Sequence, residues 1–63
     1  KEFISVIPLS LEGIVLTLRG FYYELDGEHL EYSTSLGISN FVVDDYGEVI
    51  LEKGEALLIL SKD

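Results

Sequence analysis

Carboxylates interleaved with aromatic rings are the side chains of this sequence with chemistry to offer. Tyr22, Glu24, Asp26 and Glu31 lie close together in one stretch, and Phe41 and Tyr46 flank Asp44 and Asp45 in another. Carboxylates at alternate positions of a strand stand about 6.6–6.8 Å apart, a pitch that can imitate a phosphate backbone, while neighbouring rings supply apolar anchors. Catalysis would need a nucleophile with a base, paired carboxylates in a cleft, or a bound metal. His29 is the single imidazole and there is no cysteine, so neither a catalytic base pair nor a thiolate site is on offer. Asp44, Asp45 and Glu48 are acidic enough for a hard cation but do not follow EF-hand spacing, and no metal is expected. The glycines are scattered rather than gathered into a phosphate-cradling loop, and no cofactor is implied. These residues point to a surface that binds and does not catalyse. Its expected partner-binding set is Tyr22, Glu24, Asp26, Glu31, Phe41, Asp44, Asp45 and Tyr46.

The element that must position the first group is the stretch Phe21 to Tyr32. Asp26-Gly27 between two alternating apolar runs predicts a β-hairpin with a two-residue turn, because glycine supplies the positive φ such a turn requires. That register sets Tyr23 opposite Leu30, Glu24 opposite His29 and Phe21 opposite Tyr32. Phe21, Tyr23, Leu25, Leu30 and Tyr32 then form an apolar face, and Tyr22, Glu24, Asp26, His29 and Glu31 an acidic one. Upstream, Lys1 to Ile7 reads as an edge strand stopped by Pro8, followed by a turn near Glu12-Gly13. Ile14, Leu16 and Leu18 alternate inward. The apolar set then changes parity at Gly20, which predicts a β-bulge within a long strand from Ile14 to Leu25.

Ser33-Thr34-Ser35 breaks the pattern. The next stretch has two readings. Ser39 to Tyr46 has helix boundaries in Ser39 as N-cap and Gly47 as stop. Ile38 to Val43 suits a strand, running into a loop at Asp44 to Gly47 with Gly47 left-handed. Local physics favours the strand: Val42 and Val43 are β-branched, and Asp44 and Asp45 would meet the negative end of a helix. Val49 to Leu51 is a short apolar run, Glu52 to Gly54 a turn, and Ala56 to Leu60 a closing strand expected to be buried on both faces.

Sixty-three residues allow one domain, 1–63, with a thin core. An apolar fraction of 48% and a mean hydropathy of +0.31 exceed what so small a core readily hides, so a homodimer is expected. The formal charge is −8, and every Lys and Arg lies outside Gly20 to Glu52. A field of that sign repels nucleic acid and membrane surfaces and attracts a basic partner. The absence of cysteine and of a membrane-spanning apolar run suits a cytoplasmic setting. The chain opens on Lys1, as a trimmed or partial sequence would.

From Asp26-Gly27 through Glu31-Tyr32, Leu36, Ser39-Asn40-Phe41, Val43 and Tyr46-Gly47, the sequence resembles the small dimeric uracil-DNA glycosylase inhibitors of Bacillus podophages. Those proteins are acidic mimics of DNA. The resemblance implies an α+β fold: a small antiparallel sheet with one short helix, Ser39 to Tyr46, joined into a dimer. It also implies that Phe41 and Tyr46 grip a basic DNA-binding enzyme, uracil-DNA glycosylase, in the host-cell cytoplasm of a phage. Val42 stands where that family has an acidic residue. The alternative is a non-catalytic all-β interaction module of the SH3-like small-barrel type, in which Ile38 to Val43 is a strand.

Overall fold

A computed structural model describes residues 1–34 and 36–62, with residues 36–39 described by their backbone alone. Among these residues there are six strands and no helix: β1 (Glu2–Pro8), β2 (Ile14–Arg19), β3 (Leu25–Leu30), β4 (Leu36–Phe41), β5 (Glu48–Lys53) and β6 (Ala56–Lys62). They form two antiparallel three-stranded sheets, one ordered β4-β1-β6 and the other β3-β2-β5. The protein is all-β, so the expected α+β fold is corrected. The segment expected as the helix Ser39 to Tyr46 is instead the end of β4 and the bends that follow it. Hydrogen bonding to β1 and the β-branched pair Val42-Val43 outweigh the helix boundaries. Val42 donates from its backbone to the Glu2 carbonyl at 3.0 Å.

The two sheets face each other across one apolar core. Ile4 and Val6 from β1 meet Ile14, Leu16 and Leu18 from β2, and Phe21 closes the end of the cluster. All six are at most 5% exposed. The shortest Cα extent, 13 Å, suits two stacked sheets about 10 Å apart. The corners from β1 to β2 and from β5 to β6 are stitched together at one end, where Leu9 donates to the Glu55 carbonyl and Glu55 to the Ser10 hydroxyl. The turn expected near Glu12-Gly13 is present, closed by a hydrogen bond from Gly13 to the Ser10 carbonyl.

Asp26-Gly27 does not close a hairpin. β3 runs straight through it, with Leu16 paired to Glu28 and Leu18 to Leu25, so Thr17 alone opposes both Asp26 and Gly27. The dipeptide forms a β-bulge, and Gly27 supplies its positive φ of 61° there. The Gly27 amide donates to Thr17 Oγ1 at 2.9 Å, and that hydroxyl donates to Glu52 Oε2 at 2.7 Å. His29 consequently faces Val15, not Glu24, and its ring Nε2 lies 3.0 Å from the Glu12 carbonyl oxygen.

Three other expectations are revised. Gly20 has a positive φ of 82°, but β2 has already ended at Arg19, so the change of parity marks a strand end and not a bulge. Gly47 has no positive φ; its lack of a side chain makes room for the Phe21 ring, which an added Cβ would meet at 2.6 Å. β1 is the central strand of its sheet and not an edge, because Pro8 falls at its last position and removes no donor from the interior of the ladder. β6, expected to be buried on both faces, is an exposed edge strand: Leu57, Leu58, Ile59 and Leu60 are 44–74% exposed. No helix among the described residues is long and apolar enough to cross a membrane.

Candidate functional site

Where β2 leaves its sheet, the chain crosses to the end of β4. Gly20 makes this possible: its φ is one that side chains rarely adopt, and an added Cβ would collide with the Tyr46 carbonyl. The Glu24 carboxylate accepts from the Gly20 amide at 2.8 Å, while the Gly20 carbonyl accepts from Val43 at 2.9 Å. Phe21 is buried and bridges to Val42, which turns its two successors outward.

Those successors, Tyr22 and Tyr23, are 60% and 58% exposed, yet their backbone is firmly held. Tyr22 donates to the Phe41 carbonyl at 2.8 Å. Tyr23 is clamped by the side chain of Asn40, whose Oδ1 accepts from the Tyr23 amide at 2.8 Å and whose Nδ2 donates to the Tyr23 carbonyl at 3.0 Å. Asn40 is only 2% exposed, so its amide acts as one more residue of backbone ladder.

The result is an aromatic platform. Tyr22 stacks on Phe41 with centroids 5.1 Å apart and planes 13° from parallel; Tyr23 meets Tyr22 edge-on at 4.8 Å, and Phe3 meets Phe41 edge-on at 5.7 Å. The Lys1 ammonium lies 4.2 Å from the centroid of the Phe41 ring. A ring face that accepts an ammonium at this distance has the negative quadrupole that attracts organic cations generally. Stacked rings with exposed edges also offer a surface for a flat heterocycle.

Of the residues expected to bind a partner, Tyr22 and Phe41 come into contact, and Glu24 lies at the loop that carries Tyr22. The acidic face expected with them is not built, because Asp26 sits in the β3 bulge and Glu31 beyond the far end of that strand. Asp44, Asp45 and Tyr46 form exposed bends beside Arg19 and Glu48, at a separate polar cleft. Among the described residues, no three His, Asp or Glu side chains gather as metal ligands. Tyr23, Asn40, Phe3 and Lys1 were missed. The hairpin register sets Tyr23 on its inner face, and the helix reading takes in Asn40; an asparagine directly before the apolar run Phe41-Val42-Val43 was the available signal.

Residues 1–55 match the family model described as thiamin pyrophosphokinase, vitamin B1 binding domain. The chain belongs to this family. Over all 63 residues it is 38% identical to the thiamine pyrophosphokinase of Bacillus subtilis (strain 168). It spans 29% of that relative's length. No solved structure matches. Membership of the vitamin B1 binding domain family corrects the resemblance to uracil-DNA glycosylase inhibitors, and with it the DNA mimicry, the phage origin and the DNA-binding enzyme as partner. The expectation of a protein unconnected with catalysis is corrected too, since the relative is named as an enzyme. The shared Asn-Phe, Tyr-Gly and Asp-Gly elements that carried the resemblance serve strand ends and bulges, which recur in unrelated β proteins.

Proposed function

We propose that this chain is the vitamin-recognising part of a thiamine pyrophosphokinase and that it holds thiamine on the Tyr22–Tyr23–Phe41 platform. The observation that carries the reading is the exposed, hydrogen-bond-braced aromatic face with a cation against it. Thiamine joins a permanently cationic thiazolium to a flat aminopyrimidine. The first suits the outward face of Tyr22 or, in place of the Lys1 ammonium, that of Phe41, and the second can lie along the edge-on pair Tyr22–Tyr23. A net charge of −8 raises the local concentration of such a cation. Glu24 stands in the loop that bears both tyrosines, with one carboxylate oxygen engaged by Gly20. A cytoplasmic setting accords with this role. Within the proposal, transfer of the diphosphate group falls to the part of the relative's length that this chain does not span, because the chain carries no phosphate-cradling loop.

Isothermal titration with thiamine, and with a neutral analogue bearing an uncharged ring in place of the thiazolium, tests the reading. A cation–π contribution of about 0.5–2 kcal/mol makes thiamine bind roughly 2- to 30-fold more tightly than the analogue, and Tyr22→Leu removes most of that preference. Equal affinities, or a preference that survives Tyr22→Leu, would show that the platform does not recognise the cation.

A further inference from the structure

We infer, on the reading of the platform as the vitamin site, that Lys1 is its resident cation: in the free chain the Lys1 ammonium occupies the Phe41 ring face, and a ligand cation takes that face by displacing it. The sheet sets this up. β1 and β4 are antiparallel with Phe3 opposite Phe41, and the Glu2 carbonyl accepts from Val42 at 3.0 Å, so the chain is held against the end of β4 one residue after Lys1. Two residues before Phe3 in an extended chain, Lys1 projects on the same side as Phe3 and is a diagonal neighbour of Phe41, a separation that its four-carbon stem spans. Its ammonium ends 4.2 Å from the ring centroid.

The chain carries twelve acidic residues, yet the partner of Lys1 is a ring. Among the described residues the ion pair at this corner joins Lys62 to Glu2 at 3.6 Å. Phe41 is half-buried, stacked on Tyr22 and met edge-on by Phe3, so its neighbours fix the ring and only its occupant can change. Lys1 is exposed, and a lysine over a phenyl face keeps much of its water, so it is readily exchanged. The face is therefore in use before any ligand arrives, and binding there replaces one cation by another. Only the fraction of molecules with Lys1 swung away offers the face, which lowers the observed affinity by about 3- to 6-fold for a surface contact of this kind. A permanently charged ring restores the electrostatic contact that it breaks. A neutral ring does not.

Calorimetric titrations of the wild-type chain, Lys1→Gln and Lys1→Arg with thiamine, and NMR of the Lys1 side chain, decide the matter, with folding of each variant verified by far-UV circular dichroism. Lys1→Gln should bind thiamine about 3- to 6-fold more tightly, and Lys1→Arg, which keeps a cation on the ring, no more tightly than wild type. In a Phe41→Leu background the step to Gln should gain clearly less, since only the loss of one charge remains. The Lys1 methylene protons nearest the ammonium should be shifted upfield by the Phe41 ring in the free chain. That ring shift should persist in Asp63→Asn and disappear as thiamine saturates the site. Tetramethylammonium chloride, compared with sodium chloride at equal concentration, separates the two claims: loss of the ring shift in tetramethylammonium without any thiamine binding would sink the vitamin reading and leave Lys1 as the resident of a general cation site. Thiamine bound with Lys1 still ring-shifted, an unchanged or weaker affinity in Lys1→Gln, a ring shift lost in Asp63→Asn, or a Lys1 unmoved by either cation would overturn the inference.

Discussion

Asn40 shows how one buried side chain can set the geometry of an exposed site. Its carbonyl and amide groups answer the N–H and C=O of Tyr23 at once, which a residue lacking either the donor or the acceptor cannot do. Asn40→Asp keeps the shape but, when ionised, loses the donor and sets a carboxylate against the Tyr23 carbonyl. Urea denaturation should show a loss of about 1–3 kcal/mol, the usual cost of an unsatisfied buried polar group. A change of a few tenths would mean that the clamp contributes nothing. Because Tyr22 and Tyr23 lie on the clamped segment, the folded variant should also bind thiamine less tightly.

At the scale of elements, Thr17 ties β2 to both of its neighbours. Its hydroxyl accepts from the Gly27 amide in the β3 bulge and donates to Glu52 on β5, and the residue is 1% exposed. Thr17→Val preserves the volume but leaves the Gly27 amide without that acceptor, so it should destabilise the fold by about 1–3 kcal/mol in thermal or urea unfolding. A neutral result would show that the bulge stands without the hydroxyl. This bulge also shows where the sequence stopped being legible. The alternation of Ile14, Leu16 and Leu18 and the turn at Gly13 could be read locally, since each depends on neighbouring residues, and Gly20 could be read as a break in the pattern but not as a strand end. Asp26-Gly27 could not: a positive φ serves a hairpin turn and a bulge equally well, and the choice was made by Thr17 on another strand. Ser39 to Tyr46 was ambiguous for the same reason, the strand at its start resting on β1. Phe41 and Tyr22 stand out by residue type as candidates for binding, whereas their contact depends on Asn40 and on the crossing at Gly20. The acidic face failed with the hairpin that was to build it.

The whole molecule presents an aromatic platform at the end of one sheet and an apolar edge along β6, with a thin core between the sheets. Its acidity does not mimic DNA; under the proposed function it favours the approach of a cation. The central claim is that thiamine is held at the platform, and the most direct measurement is a residue-by-residue map of backbone amide shifts during a thiamine titration of the isotopically labelled chain. The account predicts that saturable shifts concentrate at Tyr22, Tyr23, Asn40 and Phe41 and are small along β6 and in the β3 bulge. Shifts centred on Leu58 and Leu60 or on Asp44 to Tyr46, or none at millimolar thiamine, a level that already corresponds to only about −4 kcal/mol of binding, would contradict it.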